Sequence, residues 1–404
     1  MACSTRSLVL SLAILSACGE VRAQGPARLP IHWEQGQVAN LTGLKVTLSK
    51  PILVGRSHGY FWFPTLVPLA NGDLMAIMSN YPDEHTSHPT AAVTWSTDGG
   101  LTWTRPVDTY CGESHLRLAN GDELILPYYL RPAGDGVMAA PYSVCPKGER
   151  RIIVKTEGVK VSGWPHPDKS FDPKLGMSGF VFNGQTVVLK DGKYLATLYG
   201  SFQDAKRYSL VAAESADGVD WKIRSVVADQ DCPLPGGEGP CESAVCRLKD
   251  GRLMIVFRIQ SAYDKLKRTS IAYGQSWSSD EGKTWSEAVA MQGPFAVQPS
   301  LAAFKHGMLA LSGGRPGLFL WFNVDGSGKE WQKVDLLANH NAQVPAEPIK
   351  NPGNTSSYTE IVVRDEHHLL YMYDRLPSGW GPIPAESKET NSVWIVQATI
   401  EGAR

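Results

Sequence analysis

Alternating and continuous apolar runs of strand length, separated by glycine turns, recur along the chain. The clearest runs from Cys241 to Arg258. Ser243, Val245 and Arg247 alternate with Ala244, Cys246 and Leu248, the turn Lys249-Asp250-Gly251 follows, and Leu253 to Phe257 form an apolar second arm. Asp-Gly between two β-forming runs predicts an antiparallel hairpin. Glu242 stands near its start and Arg258 at its end, so strand pairing returns both charges to the same end of the hairpin.

This hairpin recurs around Gly72, Gly121, Gly192 and Gly307, with a degraded sixth copy in Arg364-Asp-Glu-His367-His-Leu369. The spacings between turns are 49, 71, 59, 56 and 60 residues, which suits one four-stranded unit each plus loops. Internal repeats of this period predict an all-β fold, a six-bladed β-propeller of four-stranded antiparallel blades. Its inner strands are expected to start near residues 61, 112, 182, 241, 297 and 357. Leu41 to Val54 is expected to supply an outer strand that closes the ring with Ser392 to Ile400, within a single domain spanning 24–404.

A second repeat runs out of phase with the first. Ser96 to Trp103 and Ser278 to Trp285 match S-x-D-x-G-x-T-W in full, Ser215 to Trp221 is one residue short, and Asp325 to Trp331 is one long. Each Asp lies 18 to 29 residues after a hairpin glycine, which predicts a turn between the third and fourth strands of a unit. Asp and Ser side chains bond nearby backbone N–H groups, Gly takes the positive-φ position and Trp packs inward, so the boxes read as structural. One carboxylate per turn makes a poor calcium site.

Composition adds limits. With 39 basic and 40 acidic residues in 404, nothing suggests a nucleic-acid or anionic-membrane surface. Gly 39, Pro 27 and Trp 12 fit a turn-rich β protein. The apolar run Leu8 to Ala17 after Arg6 is too short to span a bilayer and reads as a secretory signal. Cleavage is expected after Ala23, giving a signal peptide over 1–23, or before Cys18 in the lipoprotein-like Leu15-Ser16-Ala17-Cys18, which would leave a lipid anchor. The location is therefore expected to be secreted or extracytoplasmic, with no later transmembrane span. Five further cysteines remain, Cys111, Cys145, Cys232, Cys241 and Cys246. Cys111–Cys145 and Cys232–Cys241 are the candidate bridges, between which sequence does not choose. No Cys/His spacing suggests zinc, and neither metal nor cofactor is expected.

Together, the boxes and hairpins resemble the sialidase (neuraminidase) superfamily of Asp-box, or BNR-repeat, propellers from about Tyr60 to Ile400. The resemblance implies three arginines on a substrate carboxylate, a Tyr nucleophile activated by a Glu, and an acid/base Asp in an early loop. Glu242, nine residues before Gly251, and Arg258 resemble the general base and one arginine. Arg315, in Ser312-Gly-Gly-Arg315-Pro-Gly, resembles the third arginine, and Tyr358, nine residues before His367, the nucleophile. The first blade departs from the pattern: in Phe61-Trp62-Phe63-Pro64, Trp62 stands where the first arginine belongs. The acid/base position falls in the loop Asp83-Glu-His85-Thr-Ser-His88, so Asp83, His85 or His88 is expected to protonate the leaving oxygen. Trp62 reads either as a sugar-stacking platform or as filler of the axial channel. Asn183 and Gln298, each nine residues before a turn glycine, are read as substrate hydrogen-bonding groups. Glu113 and His115 lie near the axis without a role.

The chemistry suits a carboxylated sugar. Arginine gives a fixed, bidentate clamp for a carboxylate. A carboxylate on the anomeric carbon would repel an anionic nucleophile, and a neutral Tyr deprotonated by Glu avoids that repulsion. The leading expectation is an exo-glycosidase that releases a terminal acidic sugar, such as sialic acid, from a glycan, with the protein a monomer. Two others stand beside it: a propeller lyase that attacks uronic-acid glycans by His/Tyr elimination, and a glycan-binding propeller without activity. In the last case Glu242–Arg258 is a structural ion pair and Tyr358 an ordinary inner-strand aromatic.

Overall fold

The structure is a computed structural model and describes residues 32–83, 90–110, 112–165, 180–202, 204–260, 271–295 and 297–402. The expected signal segment with Cys18, and His85, His88 and Cys111, lie outside the described residues.

Three strands, β1 (Gln35–Leu41), β2 (Leu44–Ser49) and β3 (Ile52–Ser57), precede the first meander. That meander is β4 (Trp62–Pro68), β5 (Leu74–Ser79), β6 (Thr90–Ser96) and β7 (Val107–Tyr110), a four-stranded sheet in sequence order. Next come β8 (His115–Arg117), β9 (Glu123–Ile125), β10 (Arg131–Gly134), β11 (Val137–Cys145) and β12 (Ile153–Ser162). They are followed by β13 (Val181–Phe182), β14 (Val187–Val188), β15 (Tyr194–Gly200), β16 (Ser209–Ser215) and β17 (Asp220–Ala228). These ten strands share one sheet because β12 runs parallel to β17, with Lys160 to Ser162 against Asp220 to Lys222. Two more four-stranded meanders follow: β18 (Ser243–Arg247), β19 (Leu253–Phe257), β20 (Ala272–Ser278) and β21 (Val289–Phe295), then β22 (Ser300–Ala303), β23 (Leu309–Gly314), β24 (Leu318–Asn323) and β25 (Gln332–Asp335). The last sheet joins β26 (Thr359–Val363), β27 (His368–Arg375) and β28 (Asn391–Glu401) to β1, β2 and β3.

The pairing of the last strand follows the expected route. β28 pairs with β27 along one edge and with both β2 and β3 along the other, so strands from the two ends of the described chain share one sheet. One short helix, α1 (Leu336–Gln343), was not foreseen; Asp335 caps it by accepting from Ala338 N at 3.0 Å.

The inner hairpins share one turn. Leu69, Leu118, Leu189, Leu248 and Phe304 each donate their N–H to the carbonyl four residues on, and accept from the glycine three residues on, at 2.7–3.0 Å. The glycines sit at φ 84 to 108°, where a β-carbon would be strained. In the sixth copy Arg364 N donates to His368 O at 2.9 Å, and the Asp365 carboxylate takes the N–H of His367 instead. The second arms, Leu74–Ser79, Tyr194–Gly200 and Leu253–Phe257, are buried along their whole length, which explains why they read as apolar runs rather than alternations. Around the axis, β4 packs on β26, β26 on β22, β22 on β18 and β18 on β14. Arg117 of β8 donates to Pro68 O of β4, and Thr186, just before β14, donates to His115 O of β8 at 2.7 Å.

The acidic boxes lie between third and fourth strands and bond as expected. Asp280 accepts from Ser278 Oγ, Lys283 N, Thr284 N and Thr284 Oγ1 at 2.7–3.1 Å, and Asp98 repeats the pattern. The cysteine bridges are a correction. Cys145, Cys232, Cys241 and Cys246 are all free and buried, with the Cys241 thiol facing the carbonyl of Arg258 at 3.5 Å.

Burial alone would raise the pKa of Asp280, but the bonds from Thr284, Ser278 and Lys283 outweigh it and lower the pKa from 3.8 to about 2. Its ionised form therefore stabilises the fold above the unfolded value, and that contribution is lost as the pH falls toward 2. Asp280→Ala is expected to cost about 1–3 kcal/mol near neutrality, since four donors lose their acceptor. Urea midpoints should show the gap to wild type shrinking across this acid window; a gap that does not shrink contradicts the assignment.

Candidate active site

Glu242 immediately precedes β18 and Arg258 immediately follows β19. Arg258 N donates to Glu242 O at 2.9 Å, so hairpin pairing brings the two side chains to one end. Arg258 Nη1 bonds Glu242 Oε1 at 2.5 Å and the Tyr358 hydroxyl at 3.1 Å. The Tyr358 hydroxyl itself donates to Glu242 Oε1, and the second oxygen of Glu242 accepts from Gln298 N at 2.9 Å. The rest of the Arg258 fork is held by Glu238, from Nε at 3.2 Å and Nη2 at 2.5 Å. Burial, and then the charge of Glu242, raise the pKa of Tyr358 well above that of a free phenol, against the pull of Arg258 and Arg315. The hydroxyl is therefore neutral at rest, and the acceptor for its proton is Glu242.

A buried carboxylate sets the position of this tyrosine. Asp374, fully buried at the end of β27, accepts from Thr355 Oγ1 and Ser356 N at 2.8 Å, from Ser356 Oγ, and from Phe63 N at 3.2 Å. It thereby ties the bulge in β4 to the segment that leads into Tyr358. Three non-glycine residues take left-handed backbone conformations here: Phe63 (φ 48°), Arg315 (φ 80°) and Ser357 (φ 64°). Such strain persists where the surroundings over-determine it, and functional sites are where it collects. Arg315 donates to Ser356 O from Nη2 at 2.6 Å, and its guanidinium lies 5.4 Å from the Tyr358 ring and 4.8 Å from the Trp380 ring. Asp374, Glu238 and Trp380 were not singled out from the sequence. For Asp374 a signal existed: it follows His367 by seven residues, as Arg258 follows Gly251.

Several expected roles change. Trp62 is 1% exposed and donates its Nε1 to Tyr81 O at 3.0 Å, so it fills the interior and offers no face to a sugar. The aromatic that does reach solvent is Trp380, 36% exposed, packed on Trp62 and Phe63. Asn183 and Gln298 are buried and bonded to each other at 3.1 Å, and Asn183 Oδ1 also accepts from Ser243 N. They brace each other and the start of β18, and Gln298 N holds Glu242. Asp83 is exposed, and its charge reaches Tyr81, Tyr129 and Glu113.

Glu113, half-buried just before β8, belongs to the same end of the axis. Burial first, and then the charges of Glu242 and Asp83, push its pKa up to about 8. Further along the inner strands lies a separate cavity of about 480 Å³ lined by His115, Glu123, Gln185 and Glu360 among others. His115 bonds Glu123 there at 2.6 Å, and burial pushes Glu360 up to about 7.

A centre of this kind at the starts of the inner strands, on an all-β fold of successive meanders, defines a sialidase-like propeller. Residues 157–372, more than half of the chain, match the family model of the BNR repeat-like domain, and the protein belongs to that family. Among solved structures, a protein of unknown function from Dyadobacter fermentans superposes with a TM-score of 0.63 at 17% identity, over 88% of this chain and 99% of its own. The α-L-arabinanase of Penicillium chrysogenum, solved with arabinobiose, gives 0.58 at 15% identity over 86% and 98%. The NanB sialidase of Streptococcus pneumoniae gives 0.54 at 14% identity over 87% and 70%. What is shared at these identities is the fold, a propeller of glycoside-hydrolase type. No curated protein matches the sequence. Among the described residues, no helix is long and apolar enough to cross a membrane.

Asp374→Ala leaves four donors without their acceptor, two of them backbone N–H groups. A destabilisation of about 3 kcal/mol or more is expected. Denaturant unfolding checks this, and a midpoint equal to wild type would remove Asp374 as the anchor of the Tyr358 segment.

Proposed function

We propose that the protein is an exported glycoside hydrolase, built as a six-bladed propeller, that releases a terminal acidic sugar such as sialic acid from glycans. The observation that carries this reading is the hydrogen bond from the Tyr358 hydroxyl to a Glu242 carboxylate held by Arg258 and Gln298 N. Tyr358 Oη attacks the anomeric carbon while its proton passes to Glu242, and water later releases the sugar from the tyrosyl intermediate. Arg315 is the guanidinium open to a substrate carboxylate: among the described residues its Nη1 has no acceptor, whereas every nitrogen of Arg258 is engaged. Five equivalent hairpin turns with a degraded sixth, and first strands that touch in sequence, support six blades. Export rests on the apolar segment Leu8 to Ala17, and a monomer is taken as the working state.

One observation favours a second reading. Arg258 is neutralised by Glu238 and Glu242, and a tryptophan occupies the position of a third arginine, which leaves one guanidinium for a substrate charge. That inventory also suits a neutral sugar, as in the arabinanase of the same fold.

The deciding experiment is a screen of the purified chain against aryl glycosides of sialic acid, glucuronic acid and arabinofuranose, reading free sugar and unsaturated product together. Hydrolysis of the acidic glycosides supports the proposal, hydrolysis of only the arabinoside supports the second reading, and an unsaturated product identifies a lyase. Binding without any turnover rejects an enzyme. Tyr358→Phe is expected to lower turnover by at least about 10³-fold, roughly 4 kcal/mol of barrier; near-normal turnover would discard the nucleophile. Arg315→Lys should depress acidic substrates far more than neutral ones, and equal losses on both would count against a carboxylate clamp.

A further inference from the structure

Two guanidinium groups flank Tyr358, and they differ in what covers them. Arg258 Nη1 lies 3.1 Å from the hydroxyl, and the Arg315 guanidinium lies 5.4 Å from the ring centre. Arg315 uses Nε and Nη2 on one carbonyl, Ser356 O, and among the described residues its Nη1 has no acceptor. Arg258 has no such opening. Its Nε–Nη2 edge, a two-pronged edge suited to gripping a carboxylate, already holds one: Glu238 Oε2 accepts from Nε at 3.2 Å and from Nη2 at 2.5 Å.

Side-chain exposure rises from 4% at Glu242 through 12% at Arg258 to 29% at Glu238. Glu242 thus meets the guanidinium from the interior, and Glu238 caps it on the side nearer solvent. The loop that carries Glu238 is fixed on both sides of it. Arg207 donates to the carbonyls of Gln230, Cys232 and Leu234 at 2.7–3.1 Å. Gln260 Oε1 accepts from Gly237 N at 2.6 Å and from Glu238 N at 3.3 Å, and Tyr208 N donates to Glu238 O at 2.8 Å. Gly239 follows at φ 92°, where a β-carbon would lie 2.7 Å from Arg207 Cβ and 2.8 Å from Tyr208 N. Glu238 is therefore held in place by its backbone as well as by its side chain. The pair of Glu242 with Arg258 is complete with one carboxylate, so Glu238 sets a second carboxylate on a single guanidinium.

We infer that Glu238 sets how this site discriminates between sugars by charge, a role that rests on the glycosidase reading above and deepens it. As a fixed internal carboxylate it takes the edge of Arg258 that a sugar carboxylate would otherwise take, and it leaves that group to Arg315. A sugar acid then meets one open guanidinium and, beside it, a like charge that disfavours its approach. Without the Glu238 charge the same acid would meet guanidinium edges on both sides of Tyr358. Glu238 acts on the substrate through Arg258 and takes no part in bond making at Tyr358.

Binding of a sugar acid against its own neutral ester tests the assignment. The probes are N-acetylneuraminic acid and glucuronic acid, each beside its methyl ester, titrated calorimetrically into wild type and Glu238→Gln. The substitution keeps the side chain's size and an accepting oxygen and removes the charge. The preference for acid over ester is expected to rise by about tenfold or more for at least one of the two sugars. The esters should bind both proteins alike, whereas a merely structural Glu238 would weaken acid and ester together. In an Arg315→Lys background, Glu238→Gln should restore part of the lost acid binding, because Arg258 becomes available. If the Gln variant does not fold, Glu238→Asp, which withdraws the carboxylate from the fork by one methylene, must shift the preference in the same direction. An unchanged acid-to-ester preference, equal losses on both, or no binding of either acid by any of these proteins overturns the role. Turnover separates this outcome from the reading beneath it. Wild type that hydrolyses a glycoside while the preference stays unchanged rejects this role alone. Wild type inactive on every glycoside rejects the glycosidase reading, even where the preference rises.

Discussion

Glu242 accepts from Tyr358 although 116 residues separate them. Both residues stand nine positions before the turn of an inner hairpin, so a shared hairpin register delivers both to the same end of the axis. The same register places Phe63, Asn183 and Gln298 at that level, and brings Ser79, Tyr128, Tyr199, Arg258 and Asp374, each seven positions after a turn, back beside them. A strand that slipped by one residue would turn every side chain to its opposite face. The repeated turn hydrogen bonds, which pin each hairpin at its far end, are thus what assembles the site.

Electrostatics then separates groups that register alone leaves equivalent. The Arg258 fork lies between Glu238 and Glu242 at 2.5 Å from each, in a site where the Glu242 side chain is 4% exposed. A buried carboxylate without such a partner would take up a proton, and a buried pair persists only when its remaining hydrogen-bonding groups are also satisfied. Gln298 N and the Tyr358 hydroxyl supply the remaining bonds to Glu242. Asp374 is held instead by four donors from β4 and the 355–356 segment, which oppose but do not outweigh the upward push of burial on its pKa. One carboxylate is therefore kept for chemistry and the other for architecture, and the accessibility of Tyr358 beside the first marks the difference.

Hairpins, strand order and the pairing of the last strand with β2 and β3 were legible in the sequence because they depend on local turn chemistry and on apolar runs. Glu242, Arg258 and Tyr358 were legible because they sit at fixed offsets from those turns. Asp374 sits at such an offset too, but at the end of the run Leu369 to Tyr373 it reads as an ordinary strand terminus, since its donors come from other segments. Trp62 could be read two ways, and only the packing of Tyr81, Phe63 and Trp380 against it decides that it is interior. The parallel contact of β12 with β17 is a tertiary event between two long outer strands and leaves no local pattern. The free thiols are similar: spacing permits a bridge between Cys232 and Cys241, but the chain carries each into its own buried position.

What a substrate would meet at this mouth is a mixed surface. Trp380 and Phe63 frame the Tyr358 ring, with the Phe63 ring 4.6 Å from it, and the Arg315 guanidinium lies near the faces of both Trp380 and Tyr358. A guanidinium stacked on aromatic rings keeps its edge N–H groups in plane and free to form a bidentate pair, and it is less hydrated than an exposed one. Desolvation raises the value of one charged contact in such a place, so a single arginine can discriminate between sugars where a solvated pair would not. The aromatic frame around Arg315 therefore bears on substrate charge as directly as the number of arginines does. Packing also orders the two tryptophans: Trp62 is buried behind Trp380 and holds it in place, while Trp380 keeps a face to solvent beside Arg315.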